Sequence, residues 1–182
     1  HATYSVSDEP MQKISTLASE LDIAIHMHVH ETAQEVQNAI AANGIRPLAH
    51  LQNLGLLIPN LQCVHLTQVE ADEIRLLAGS GVSVVHCPAS NMKLASGFCP
   101  VASLLEAGIN VALGTDGSAS NNELNMFNEM RLAALIGKGT EHDASVLSAW
   151  EVLKMATVNG AKLMGLSDLT GTLESGKFAD IT

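Results

Sequence analysis

The stretch Leu21-Asp22-Ile23-Ala24-Ile25-His26-Met27-His28-Val29-His30-Glu31-Thr32 joins an apolar run to three alternating histidines and a carboxylate. In a β-strand, side chains i, i+2 and i+4 share one face, so His26, His28 and His30 are predicted to line one wall of a cavity. Glu31 falls where the strand becomes a loop. Any one of these histidines alone is better explained as a polar residue packed in the core. Three together, with a glutamate beside them, indicate a metal site at a strand end.

The composition is that of a soluble globular domain. Of the 182 residues, 47% are hydrophobic and 15% are charged. The formal net charge of -10, with lysine and arginine scattered singly, provides no basic groove for nucleic acid. No apolar run approaches the ~20 residues of a membrane span and no secretory signal pattern is present, so we expect a cytoplasmic enzyme without a membrane partner. Cys63, Cys87 and Cys99 form no C-x-x-C pair and are expected to be reduced thiols.

Apolar, β-branched segments alternate with helical patterns along the chain. The predicted strands are residues 21–29, 61–66, 82–87 and 110–114. The predicted helices are residues 32–43, 68–78, 100–107, 122–136 and 145–163. Gly44, Gly79 and Gly108 are expected to be the left-handed caps of the first three helices. This alternation predicts an α/β fold with a parallel sheet, either a (β/α) barrel or an open doubly wound sheet.

Each predicted strand carries a polar residue with catalytic potential at its C-terminal end: His28 with Glu31, His65, His86, and Asp116 just after the last strand. In a (β/α) barrel the carboxyl ends of all strands surround one site, whereas the outer strands of an open sheet lie too far apart. Taken singly, each residue has a plainer explanation, such as core packing for His65 or a turn cap for Asp116. Taken together, they favour a closed barrel.

Four segments, in order, resemble the amidohydrolase superfamily. They are H-x-x-E-T at His28 to Thr32, V-H-L-T at Val64 to Thr67, the run Ser83 to Gly97, and L-G-T-D-G-S-A-S-N-N at Leu113 to Asn122. Within the superfamily they are similar to the deaminases of 5-methylthioadenosine and S-adenosylhomocysteine and to their triazine hydrolase relatives. The opening segment, His1 to Ser7, is similar to a substrate-binding P-H-A-x-Y segment of that subfamily.

The resemblance implies that the sequence is the C-terminal half of a larger enzyme. The H-x-H metal pair of the superfamily's first strand is missing, and a complete barrel takes about 250 residues. We therefore expect strands 5 to 8 of a (β/α)8 TIM-type barrel, with flanking helices, over residues 1–170. Residues 171–182 resemble the point at which such chains leave the barrel for a small β-sandwich domain.

The resemblance also implies a reaction and the residues that perform it. The reaction is a hydrolytic deamination in which metal-activated water attacks a purine ring carbon and ammonia leaves. His28 and Asp116 are implied as ligands of Zn²⁺, with Fe²⁺ or Mn²⁺ as possible substitutes. Glu31 is implied as the proton donor to the ring nitrogen and Asp116 as the acceptor of the water's proton. His65 is implied to orient the water or to polarise the leaving group.

The expected partner is a small nucleoside or heterocyclic amine, and the full-length enzyme is expected to be a homo-oligomer. The residues expected to contact the substrate are His1, Glu31 and Asp116, with Ser90 and Asn91 at the rim of the pocket. His26 and His30 are expected to be structural. Two alternatives stay open: a triazine or guanine aminohydrolase or chlorohydrolase on the same scaffold, and an inactive fragment that needs the missing N-terminal half. Glu31 favours deamination over halide displacement, because protonation of a ring nitrogen needs an acid.

Overall fold

The computed structural model describes residues 1–180, which form a four-stranded sheet with helices packed around it. The strands are β1 (Ile25–Val29), β2 (Leu61–His65), β3 (Ser83–His86) and β4 (Asn110–Leu113). The helices are α1 (Asp8–Leu21), α2 (Ala33–Asn43), α3 (Pro47–Asn53), α4 (Ala71–Ser80), α5 (Pro88–Lys93), α6 (Val101–Glu106), α7 (Ser118–Asn121), α8 (Met126–Glu141), α9 (Ala149–Ala156) and α10 (Val158–Leu163). At least one helix lies between successive strands, as parallel neighbours require.

The sheet is parallel throughout, and its strands follow the order of the sequence, β1-β2-β3-β4. His28 lies opposite Val64, Val64 opposite Val85, and Val85 opposite Ala112. The carboxyl ends of the four strands therefore lie side by side at one edge of the sheet. The predicted α/β fold with a parallel sheet is confirmed.

The core lies between the sheet and its helices. All five residues of β2 are buried, including the polar Gln62 and His65, as a strand without an exposed polar face predicted. Leu48 and Leu51 of α3, with Leu77 of α4 and Leu104 of α6, have no exposed surface. Burial of each leucine contributes about 1.5–3 kcal/mol, so these helices hold the strands in place mainly through apolar contact.

The first strand is shorter than predicted. Leu21 is the last residue of α1, and Asp22 follows with a left-handed φ of 50°. Met11 and Ala18 bury one side of α1 against the core. The packing of this amphipathic helix, and not the local apolar run, decides where the strand can begin.

Two of the three glycines predicted as left-handed caps, Gly44 and Gly108, have a left-handed φ, and the third, Gly79, does not cap its helix. Gly44 ends α2 with a left-handed φ of 74°, as predicted. Gly108 also has a left-handed φ, 79°, but lies one residue beyond the Ala107 cap of α6. Gly79 was predicted as a cap and instead lies inside α4, whose left-handed cap is Gly81 with φ 76°.

The start of α4 is displaced in the same direction. Gln68 was predicted to open the helix, but its side-chain amide donates to the hydroxyl of Thr67 and to the carbonyl of Ser96, each at 2.9 Å. The helix begins after Glu70, which forms a capping box with Glu73. Gln68 therefore lies outside the helix, which begins at Ala71.

Both helices predicted after β4 have different bounds. The helix α8 begins after Asn125, which accepts two backbone N–H groups of the first turn, and extends beyond the predicted end. The helix predicted over residues 145–163 is two helices, α9 and α10, which meet at Thr157 with φ -126° and ψ -86°. The break directs Asn159 towards β4, where its Nδ2 donates to the carbonyl of Val111 at 2.8 Å.

Four helices were not predicted: α1, α3, α5 and α7. Pro47 and Pro88 begin α3 and α5, and proline favours the first position of a helix because its missing N–H has no partner there. Ser90 and Asn91, two of the residues implied to contact substrate, consequently lie on a helix.

The residues after α10 form turns near the end of that helix. The N–H of Phe178 donates to the carbonyl of Leu169 at 2.8 Å, and Nζ of Lys177 donates to that of Ser167 at 2.7 Å. Residues 171–180 contain no strand, and Ile181 and Thr182, the end of the segment expected to start a β-sandwich, lie outside the described residues. Across residues 1–180, each helix is too short or too polar to cross a membrane.

Candidate active site

Three side chains meet at the carboxyl edge of the sheet: His28 of β1, Glu31 in the following turn, and His65 at the end of β2. Their potential ligand atoms all lie within 4.8 Å of one another. The rings of His28 and His65 have centroids 5.1 Å apart, and Nε2 of His65 lies 3.9 Å from Oε1 of Glu31. Parallel pairing of β1 with β2 places the two strand ends together. Two histidines and a carboxylate form a donor set that suits a divalent metal such as zinc.

His65 presents an unpaired nitrogen to this group. Its Nδ1 lies 2.8 Å from Oδ1 of Asn91. Because an amide oxygen only accepts, Nδ1 carries a proton, and in the neutral ring Nε2 then keeps its lone pair. Nε2 is buried and has no hydrogen-bond partner within residues 1–180. An unsatisfied buried acceptor costs about 1–3 kcal/mol, so this atom fits a metal ion or a bound water.

His28 is half-buried and is held in its neutral form. Burial disfavours the imidazolium and His65 adds to that effect, so the pKa of His28 is lowered. Glu31 and Asp116 act in the opposite direction without reversing the shift. Neutral imidazole is the form that binds metals, so His28 is available as a ligand near neutral pH.

Glu31 projects from a turn whose backbone is fixed on both sides. Its N–H donates to Oε2 of Glu35 at 2.6 Å, and its carbonyl accepts from the hydroxyl of Thr67 at 2.6 Å. The side chain of Glu31 is 21% exposed and therefore accessible to a ligand. The sequence signal for Glu35 is the T-x-x-E pattern that it forms with Thr32, which is typical of a helix N-terminus. No local sequence pattern indicated that the carbonyl of Glu31 accepts from Thr67.

The prediction that His26, His28 and His30 line one wall is wrong. The strand ends before His30, whose φ of 52° turns the side chain away from the face that His26 and His28 share. His30 is fully buried, its Nε2 accepts the N–H of Leu48 at 3.3 Å, and burial lowers its pKa to about 4. His26 pairs through Nδ1 with Oε1 of Gln62 at 2.9 Å. Neither ring belongs to the group around His28.

Asp116 follows β4 and is held by three hydrogen bonds. Its Oδ2 accepts the hydroxyls of Ser90 and Ser120, each at 2.7 Å, and its Oδ1 accepts the N–H of Gly117 at 2.8 Å. Burial acts to raise its pKa, but these bonds outweigh burial and lower it. Asp116 is therefore ionised at neutral pH. It is not one of the three residues within 4.8 Å of one another, although its charge acts on His28.

Glu129 of α8 stabilises the loops around Asp116, and sequence reasoning did not find it. It is fully buried, and its carboxylate accepts the N–H of Ala89 at 3.1 Å and Nδ2 of Asn121 at 2.6 Å. Asn121 also donates to the carbonyl of Thr115 at 2.6 Å. Burial raises the pKa of Glu129. Its sequence signal is a place on the apolar side of α8, one turn before other buried residues.

The two remaining candidate histidines, His86 and His1, do not belong to the group of three. His86 ends β3, is 3% exposed, and has a pKa lowered to about 3 by burial and, secondarily, by His65. His1 is exposed, and its carbonyl accepts the N–H of His28 at 2.9 Å. Ala2 forms a parallel bridge with His28. The N-terminal segment therefore runs along the outer edge of β1, beside the group of three.

Comparison with known proteins supplies relatives over the whole chain. Residues 1–182 match the amidohydrolase family. The chain is 52% identical to a 5-methylthioadenosine/S-adenosylhomocysteine deaminase of Teredinibacter turnerae, over 100% of the chain and 41% of that relative. It is similar to an adenosine deaminase from Xanthomonas campestris with bound zinc, with TM-score 0.97 and 51% identity over 99% of this chain and 41% of that one.

A more distant solved structure is the atrazine chlorohydrolase TrzN from Arthrobacter aurescens complexed with zinc. Its TM-score is 0.89, with 30% identity over 95% of this chain and 38% of that one. The chain thus spans about two fifths of the length of the relatives it matches.

Proposed function

The chain belongs to the amidohydrolase family, and from this premise we propose that it carries part of the active site of a metal-dependent deaminase. The reaction is the hydrolytic removal of the amine of an adenine-type nucleoside, with 5-methylthioadenosine or S-adenosylhomocysteine as substrate. The observation that supports this most is the buried, unpaired Nε2 of His65 beside His28 and Glu31. Relatives that share about half of the sequence are named as deaminases of these nucleosides.

We propose that the four strands correspond to strands 5 to 8 of a TIM-type barrel. Their sequential order suits the arc of a barrel, because the strand order of an open doubly wound sheet reverses at its switch point. Similarity to a solved deaminase over 99% of the chain supports this assignment. Residues 1–170 then belong to the barrel, and the segment that begins at residue 171 leads to a smaller domain.

His28 and Asp116 are the proposed ligands of a zinc ion. Zinc binds neutral imidazole and ionised carboxylate, and the pKa values of both groups are lowered, which favours those forms. Zinc in the two similar solved structures supports zinc over Fe²⁺ or Mn²⁺. When bound, the ion supplies a nucleophile by lowering the pKa of a water molecule to about 7.

Each step of the proposed proton transfer is assigned to a particular side chain. Glu31 donates a proton to the ring nitrogen, which makes the adjacent ring carbon more electrophilic. Asp116 accepts the proton released by the attacking water. His65, whose Nδ1 donates to Asn91, accepts a hydrogen bond at Nε2 and orients that water. Asp116 then passes its proton to the exocyclic amine, which leaves as ammonia when the tetrahedral ring carbon collapses to a carbonyl, and the hydroxyl proton released in the collapse returns to Glu31.

Substrate contacts are proposed at His1, Ser90 and Asn91, besides Glu31 and Asp116. Ser90 and Asn91 are buried, so the substrate must reach the first turn of α5 to touch them. The whole enzyme is proposed to be a cytoplasmic homo-oligomer. Its proposed partner is a small nucleoside rather than nucleic acid, in keeping with a net charge of -10.

A triazine hydrolase or guanine deaminase is the second candidate. The TM-score of 0.89 with atrazine chlorohydrolase favours it. The sequence identities argue against it, because this chain is 30% identical to the chlorohydrolase and 51% identical to the adenosine deaminase. The leaving group separates the candidates, because halide displacement from atrazine releases chloride and deamination releases ammonia.

A chimera tests these candidates. This chain replaces the matching segment of the Teredinibacter turnerae relative, and the product is assayed for bound zinc, for ammonia from nucleosides and guanine, and for chloride from atrazine. Ammonia from 5-methylthioadenosine and S-adenosylhomocysteine supports the proposal. Turnover confined to guanine or atrazine supports the second candidate. A folded chimera with full zinc and no turnover overturns both. The chimera with His28→Ala is the inactive control, and His26→Ala, on the same strand face, is the matched active control.

A further inference from the structure

The carboxylate of Glu35 joins two segments that the proposed reaction needs in register. Glu35 is 8% exposed and lies in the first turn of α2. Its Oε2 accepts the N–H of Glu31 at 2.6 Å, and its Oε1 accepts the N–H of His30 at 3.2 Å. Oε1 also accepts the hydroxyl of Thr3 at 3.0 Å. One buried carboxylate therefore binds three donors from two parts of the chain.

These bonds differ from those that a glutamate at this helix position usually makes. Thr32 is the N-cap of α2, and its hydroxyl accepts the N–H of Glu35 at 3.1 Å. In a capping box the glutamate would accept the N–H of the N-cap residue in return. Here it binds the two preceding N–H groups instead, where His30 has a φ of 52°. Glu35 thus stabilises the left-handed turn from which Glu31 projects.

The second segment, His1 to Thr3, is fixed at two points. The N–H of His28 donates to the carbonyl of His1 at 2.9 Å, and Ala2 forms a parallel bridge with His28. The hydroxyl of Thr3 then provides the bond to Glu35. A displacement of the Glu35 carboxylate would consequently move both this segment and the turn after β1.

We propose that Glu35 is a positioning residue that sets the place of the His1 to Thr3 segment relative to Glu31. The inference rests on the proposed function, in which His1 contacts the nucleoside and Glu31 protonates it. A carboxylate accepts at both oxygens, so it satisfies all three donors. A glutamine at this position turns an NH2 group towards at least one of them, whichever way its amide is oriented.

Kinetics in the chimera separate the two links. Thr3→Val removes only the bond to the N-terminal segment, so we expect KM for 5-methylthioadenosine to rise about tenfold with kcat within about twofold. Thr3→Ser keeps the hydroxyl and should restore KM. Glu35→Gln displaces Glu31 as well, so kcat should fall about 10- to 100-fold. Glu20→Gln, an exposed carboxylate of α1, is the matched control and should match the parent chimera. The inference is overturned if Thr3→Val leaves KM unchanged, or if Thr3→Ser raises KM as much as Thr3→Val does.

Amide hydrogen exchange gives a second measurement that does not depend on turnover. In Glu35→Gln the N–H of Glu31 should exchange faster, together with residues 1–5, whereas Thr3→Val should expose only residues 1–5. Unchanged exchange at Glu31 in a folded Glu35→Gln chimera also overturns the inference. If the parent chimera releases no ammonia, the proposed function fails, and the exchange data still decide whether Glu35 holds the two segments together.

Discussion

Oδ1 of Asn91 lies 2.8 Å from Nδ1 of His65, and both side chains are buried. This contact decides the tautomer of His65. The amide oxygen needs a proton on Nδ1, so the neutral ring presents the lone pair of Nε2 to His28 and Glu31. Asn91 is 26 residues away in sequence and on a different structural element. The direction of the His65 lone pair is thus set by α5.

Replacing Asn91 should therefore impair the site through His65. In the chimera, Asn91→Ala frees His65 to rotate and to change tautomer, so we expect kcat to fall about 10- to 100-fold, while zinc affinity, which depends on His28 and Asp116, stays close to that of the parent. Ammonia release and zinc titration measure the two quantities. Asn53→Ala, at the exposed end of α3, is the control. A parent-like kcat in Asn91→Ala would show that His65 needs no orientation by Asn91.

Removing His28 should remove the metal. His28→Ala deletes one of few protein ligands, so the chimera should lose both zinc and activity. His30→Ala should keep its zinc nearly intact, although its unfolding free energy should fall, because a fully buried side chain is lost and the N–H of Leu48 is left without its partner. Zinc content of the folded protein distinguishes the two histidines. Full occupancy in His28→Ala would falsify the ligand assignment.

Glu31 should be needed for chemistry rather than for metal binding. Glu31→Gln removes the acidic proton and keeps the shape, so we expect kcat to fall about 100-fold or more with zinc content and KM nearly unchanged. Because its carboxylate lies within 4.8 Å of the His28 and His65 ligand atoms, the zinc measurement is decisive. Loss of zinc would make Glu31 a ligand, and an unchanged kcat would exclude it from the mechanism.

Burial of His86 should make stability depend on pH. Its pKa is lowered from 6.5 to about 3, so between these values the unfolded chain binds a proton that the folded chain does not. The contribution of His86 to the free energy of unfolding is therefore highest above pH 6.5. Below that pH, this residue lowers the free energy of unfolding by about 1.4 kcal/mol per pH unit. Denaturant unfolding of the parent chimera and of His86→Gln between pH 7 and about 5 measures the difference in slope. Equal slopes would contradict the assignment. His142→Gln, at an exposed helix end, is the control.

The 182-residue chain by itself should be poorly soluble or self-associating. Its sheet ends in the strands β1 and β4, and large apolar side chains such as Phe98, Phe127 and Leu173 are more than half exposed. We expect weak zinc binding and no deaminase activity, with recovery when a segment carrying the H-x-H pair is supplied. Light scattering, zinc stoichiometry and ammonia release test this. A soluble monomer with stoichiometric zinc and steady turnover would contradict it.

The sequence by itself determined the elements that follow from local patterns. Largely apolar runs without an alternating polar face, such as residues 61–66, indicated buried parallel strands, because both faces of such a strand must avoid water. The polar residues after those runs, including Glu31 and Asp116, indicated where the chemistry lies, since parallel strands align their carboxyl ends. The four motifs in order indicated the family.

Only the tertiary structure decided how these residues are held. The turn at His30 directs one histidine into the core although its spacing from His28 is that of a strand face, because a positive φ ends the alternation. The contacts of His65 with Asn91, of Asp116 with Ser90 and of Glu35 with Thr3 join residues that are 26 to 32 positions apart. No local periodicity encodes such pairs. They arise when the packing of helices on the sheet places buried donors and acceptors where each must find a partner away from water.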